Sequence, residues 1–300
     1  MLDRESTFAQ PEIVELLKTS FVPVAIDQAY QRRQKDTEGD FYRTIAIQSP
    51  RNNFQATTQG FYIASARGDL LLYNNNRDPE KVLRLMKQKL KQFELGKDST
   101  KVAEINPTKV DRRFNVTPPE GGLVVRVQAR VLDGYEPTTD RWRTIFQNSL
   151  SRDNLWISKA EHEALVRGEV PETLQQRIAR FHLVDNTRGE PPMWKADEIR
   201  QIGAKLTDGD LSGTVQLAND RGDRGFDAEL KGKIEVKDGQ VVRLDMVCRG
   251  EFRGEGPYTR GAPKGKFPLA ISFTLADGTD VADRVPPQGS RGWLEGYLGR

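Results

Sequence analysis

A single cysteine, Cys248, in 300 residues is the most restrictive shortage in this sequence. It excludes an intramolecular disulfide, a Cys-x-x-Cys redox pair and a thiolate zinc cage. Histidine is nearly as scarce, and His162 and His182 are too few for most histidine-rich metal sites. No metal, no other cofactor and no catalytic residue is therefore assigned. Apolar runs stop well short of the roughly 18 to 20 residues that cross a bilayer, and the first residues lack the basic-then-apolar order of a signal peptide. Taken from Met1, the chain is expected in the cytoplasm without a membrane span, although a longer frame could restore a signal peptide. A one-sided charge is missing too: 46 Lys+Arg against 43 Asp+Glu leave +3, no field to draw the protein onto nucleic acid.

What is present suggests two domains of ordinary size. Pro11 and Glu12 suit a first helical turn, and Ile13, Leu16 and Leu17 share a face, so a short amphipathic helix is predicted there. Phe21 to Asp27 is near-continuously apolar and is expected to be a buried strand, with Pro23 a mild objection. A second helix is expected from Thr37 to about Ile47, then a hairpin of Gly60–Ser65 and Leu70–Tyr73 around Ala66-Arg67-Gly68-Asp69. Asp78-Pro79-Glu80 opens a helix with Val82, Leu83, Met86, Leu90 and Phe93 as its stripe and Gly96 as its stop. Residues 96–122 are polar and broken by Pro and Gly, and read as a linker.

Beyond the linker the pattern changes to strands. Leu123, Val125, Val127, Ala129 and Val131 alternate with a polar face. A helical interlude follows, in which Trp142, Ile145, Phe146 and Leu150 share a face and Ser158 caps a helix ended by Gly168. "RIARFHLVD" reads as alternating, and Asp208-Gly209, Asp238-Gly239 and Asp277-Gly278 each read as a hairpin turn. Roughly eight strands are counted in 123–285, enough for a curled antiparallel meander. The expected class is thus an α/β N-terminal domain (1–95) followed by a mainly-β, barrel-like antiparallel domain (123–300) with a short helical insertion; a sandwich is the alternative.

Candidate binding residues lie in two irregular stretches of the β-rich half. Residues 180–199 concentrate Asp185, Arg188, Glu190 and Trp194, an aromatic with both charge signs on a loop at a barrel mouth. The competing reading is a loop that plugs the barrel with Trp194 as stopper. Residues 248–268 place Arg253, Tyr258 and Arg260 among glycines, where the competing reading is a long solvated hairpin loop. His182 and Cys248 read as structural, the latter as a small buried hydrophobe. Trp293, Leu294, Tyr297 and Leu298 suggest a docked terminal turn.

"RESTFAQPEIVELLKTSFVPVAID" and "QGFYIASARGDLLLYNNNRDPEKVLRLM", in that order and spacing, resemble the thioredoxin-like domains over residues 1–95. The resemblance implies a central sheet with helices on both faces and thiol–disulfide chemistry, with a redox pair and a core strand lying just before the position of Met1. Neither is encoded in these 300 residues, and Gly60-Phe61 stands where relatives place a Gly-x-Pro element. Two functions follow. The chain as written is expected to be redox-inactive and to bind a protein or small molecule through the β-rich half; alternatively, a longer natural frame carries a thiol or selenol oxidoreductase motif upstream of Met1. In an insulin-reduction assay the 300-residue chain is expected to show no turnover and Cys248→Ser no effect. Turnover lost in that variant would overturn the redox-inactive reading.

Overall fold

Residues 6–93, 110–290 and 293–299 are described by the computed structural model, and the chain divides into two units, Asp3–Val116 and Thr117–Arg300. Arg4 and Glu5 of the resemblance, the helix stop expected at Gly96 and much of the 96–122 linker lie outside the described residues.

In the N-terminal unit, α1 (Pro11–Ser20), a short α2 (Gln28–Gln31), α3 (Thr37–Ala46), the hairpin β1 (Phe61–Ala64) and β2 (Leu70–Asn74), and α4 (Pro79–Gln92) follow one another. Aspartates cap three of these helices: Asp27 accepts from Ala29 N, Asp36 from Gly39 N and Asp78 from Lys81 N, each filling an orphan donor of a first turn. Ile13, Val82 and Met86 form the core, joined by Leu16, Leu17, Phe21, Phe61 and Ile63. Of the stripe expected on α4, only Val82 and Met86 are buried.

The strand expected at Phe21–Asp27 is not formed. The segment belongs to neither of the described sheets, and Val22 and Val24 are 91% and 72% exposed. A strand needs a neighbour: among the described residues β1 pairs only with β2, and Pro23 removes one of the segment's own donors. Phe21 alone is drawn into the core.

The β-rich unit is a curled, seven-stranded antiparallel half-barrel in the order β4-β3-β9-β8-β7-β6-β5. Its strands are β3 (Leu123–Val131), β4 (Asp153–Ile157), β5 (Ile199–Thr207), β6 (Asp210–Ala218), β7 (Gly225–Lys237), β8 (Gln240–Arg253) and β9 (Lys266–Leu275). Alternation in β3 buries Val125, Val127, Ala129 and Val131, as period two requires. β4 interrupts the expected helical interlude, between α5 (Arg141–Asn148) and α6 (Lys159–Val166), the latter opened by a Ser158–Glu161 capping box.

Two of the three Asp-Gly signals make hairpins. Asp208-Gly209 and Asp238-Gly239 have φ of 52°/83° and 52°/73°, the paired positive values of a type I′ turn. Asp277-Gly278 does not. Asp277 instead accepts from Thr279 and Arg126, and the chain passes into a 3-10 turn, Val281–Arg284, where buried Asp283 receives both Arg126 and Arg152. Side-chain charges thus capture this segment before it can pair as a strand.

"RIARFHLVD" is also corrected, from alternating to helical. α7 (Glu172–Arg177) runs into a π-helical turn, Ile178–His182, which touches both open edges of the half-barrel, β4 and β5. At the far end of the sequence α8 (Leu294–Tyr297) docks with Tyr297 and Leu298 buried, while Trp293 is exposed.

The curl leaves little room between strands. A Cβ on Gly250 of β8 would stand 2.0 Å from the Asp227 carbonyl oxygen and 2.5 Å from Ala228 Cα on β7, so only glycine permits this approach. Gly250→Ala is expected to destabilise the β-rich unit by about 1–3 kcal/mol in urea denaturation; an unchanged midpoint would show that the strands part freely here.

Candidate functional site

The two stretches singled out in the sequence converge at one end of the half-barrel. Trp194, 1% exposed, donates its indole N–H to the Leu183 carbonyl and lies edge-on to Phe252, which in turn meets Phe226 and Phe267. These rings form an aromatic floor at this end of the half-barrel. Above it, the 185–192 loop abuts the 254–260 loop through close approaches of glycine: a Cβ on Gly189 would meet the Tyr258 carbonyl at 2.1 Å.

Arg188 locks the loops together. Its guanidinium pairs with Asp185 and donates to the Tyr135 hydroxyl at 2.8 Å and the Thr259 carbonyl at 3.1 Å. Asp185 also accepts from the Thr187 hydroxyl, so this buried ion pair has its charges compensated. Of the other expected residues, Tyr258 is 75% exposed at the loop tip and Glu190 and Arg260 face solvent. Arg253 lies over Gly225 and donates to the Gly222 carbonyl, outside the cleft.

Between the loops is a cleft of about 10 Å³ lined by Val184, Asp185, Pro191, Pro192, Arg224, Phe252, Gly254, Glu255, Gly256 and Thr259. Arg224 is the residue that the sequence reading missed. It sits in the charged turn "NDRGDRG" and shares the inward parity of Phe226 and Leu230 on the strand that follows. That parity was the available signal. Its guanidinium carbon stands 3.7 Å from the centroid of the Trp194 ring, and burial pulls its pKa down to about 10.

The helical side of the unit holds a different kind of polar cluster. Arg177 donates all five guanidinium N–H groups: to both oxygens of Glu161, and to the carbonyls of Trp156, Tyr297 and Leu298. Nearby, His182 Nε2 lies 2.7 Å from the Tyr297 hydroxyl, and its Nδ1 lies 3.2 Å from Asp153 Oδ2 without the alignment of a hydrogen bond. Burial, then the Asp153 charge, pushes the Tyr297 phenol well above its ordinary pKa. The trio looks like a catalytic relay, but His182 and Tyr297 are 2% and 1% exposed, so it serves the interior.

His162 uses both ring nitrogens within the fold, on the Gly121 carbonyl and the Val241 N–H. Cys248 lies inside the sheet with its thiol pKa driven up by burial. Among the described residues no three His, Cys, Asp or Glu side chains gather as a metal site, and no helix is long and apolar enough to cross a membrane. A second cavity, of about 30 Å³, lies between the sheet and helices α6 and α7 with an almost wholly apolar lining. That is room for about two waters and suits a dry packing gap.

No protein-family model, no curated protein and no solved structure matches this chain.

Burial alone would raise the Glu161 carboxyl, but the hydrogen bonds and charge of Arg177, with Ser158, outweigh it and hold the pKa below the ordinary value. A depressed carboxyl contributes stability that is fully present above its unfolded value of roughly 4.3 and is lost as pH falls through the lower folded value. The acid limb of the β-rich unit's unfolding is expected below about pH 4, and Glu161→Gln should flatten it. Arg177→Met is expected to cost about 3–5 kcal/mol in chemical denaturation, because it strands a buried carboxylate.

Proposed function

We propose that this chain acts by binding rather than by catalysis, as a redox-inactive module in which a thioredoxin-like unit accompanies a barrel-like β-rich unit that takes a small molecule or a protein segment at its loop end. The observation that carries this reading is the loop-end cleft. Two loops some seventy residues apart meet over an aromatic floor and are fixed by the Arg188 bonds to Asp185 and Thr259, which gives a rigid rim with polar and apolar lining. The commitment of Cys248, His162 and His182 to the interior supports binding over covalent or acid–base chemistry. The thioredoxin-like reading is supported by the run of α1, an apolar segment, α3, an antiparallel hairpin and α4.

The test is a fragment titration of the isotope-labelled full-length chain, followed by backbone amide shifts. Perturbations are expected to cluster on residues 184–192 and 254–259. Shifts confined to other faces, or no shifts with a diverse fragment set, would overturn the reading.

A further inference from the structure

We infer that Arg224 anchors a carboxylate group of the ligand, with one carboxylate oxygen entering the loop-end cleft; this rests on the cleft being the binding site. Arg224 is 8% exposed, and its Nη2 is buried without a hydrogen-bond partner. Among the described residues no carboxylate reaches it as an ion pair, in contrast to Arg177 and Arg188. The charges of Glu198 and Asp223 offset only part of the burial cost, so this cation is costly in the empty protein, and the remaining deficit is what an incoming anion removes.

The acids around it are already engaged. Asp185 is held by Arg188 and Thr187, Glu255 accepts from Gly261 and Ala262 N–H, Glu198 accepts from Lys195 N–H, and Asp223 accepts from Asn219. Trp194 covers one face of the guanidinium, which fixes its plane and leaves its edge to recognise a planar partner. Size and charge select among anions. A cleft of about 10 Å³ holds about one water-sized atom group, so a single oxygen enters with the rest of the ligand outside, and Asp185 and Glu255 in the lining repel a phosphate dianion more than a singly charged carboxylate.

The carboxylate could belong to a small organic acid or to a peptide C-terminus, and the two separate experimentally. The full-length chain is titrated with acetate, with N-acetyl-triglycine, with its C-terminal amide and with inorganic phosphate, following the Trp194 indole N–H resonance assigned through Trp194→Phe. Saturable shifts are expected with acetate and the free-acid peptide, and none with the amide or phosphate. Tighter binding of the peptide than of acetate assigns the source to a polypeptide C-terminus; equal binding assigns it to an organic acid. Arg224→Met should weaken the response by about thirtyfold or more, and Arg224→Lys should fall between, having charge without the fork.

Without ligand, Arg224→Met should melt at or above the parent temperature, since it removes an unpaired buried cation. Carboxylate binding unchanged in Arg224→Met, phosphate binding as tightly as acetate, or a clear fall in the melting temperature of Arg224→Met would each overturn the inference. If no carboxylate binds while fragments still map to the cleft, the carboxylate assignment fails and the binding site stands.

Discussion

The seven strands of the β-rich unit do not close on themselves, and most of what surrounds them answers to that. Strands β4 and β5 are the two edges of the sheet, with no strand among the described residues joining them, and one face carries the unit's buried apolar side chains. An open edge and an uncovered apolar face are both unstable in water. α7 and the π turn cover them, with Gln175 also supplying an acceptor to the Ala204 N–H on β5. Arg177 then fastens that cover to Glu161, to the end of β4 and to the terminal helical turn through one guanidinium. The charge is tolerable inside because every donor on it is used.

Three buried arginines mark how the unit divides its interior. Arg177 on the helical side is saturated by a carboxylate and three carbonyl oxygens, and Arg188 at the loop end has a partner on every nitrogen, from a carboxylate, one carbonyl and two hydroxyls. Arg224 lies at the same loop end as Arg188 but has an aromatic face for company and no acceptor for Nη2. The first two explain why their surroundings are rigid. The third is the one of this set with no ion-pair partner among the described residues; it feels the charges of Glu198 and Asp223 without bonding to either, and it lines the loop-end cleft.

Local chemistry was legible in the sequence wherever neighbours in the chain decide the outcome. The caps at Asp78 and Ser158, the alternation of β3 and the turns at Asp208-Gly209 and Asp238-Gly239 all follow from residues a few positions apart. The failures share an opposite cause. "RIARFHLVD" has the alternation of a strand, but Arg177 and His182 are claimed by Tyr297, and no window of the sequence contains both. Asp277-Gly278 is diverted by Arg126, 151 positions away. Phe21–Ile26 has strand composition but no partner strand among the described residues, which composition cannot reveal. In the candidate site Asp185, Arg188 and Trp194 were legible as an unusual cluster on an irregular loop. Arg224 was hidden because its burial follows from the parity of a strand that begins one residue later.

The clamp of Arg177 has a consequence for how the chain is made. Its acceptors at Tyr297 and Leu298 lie 120 and 121 residues downstream. A nascent chain emerging from the ribosome therefore builds β3, β4 and the covering helix long before the carbonyls that neutralise that guanidinium exist. Of the acceptors on Arg177, only Trp156 and Glu161 precede it in the chain. The two long-range bonds to Tyr297 and Leu298 thus tie the order in which this interior can be completed to the order in which its segments are made.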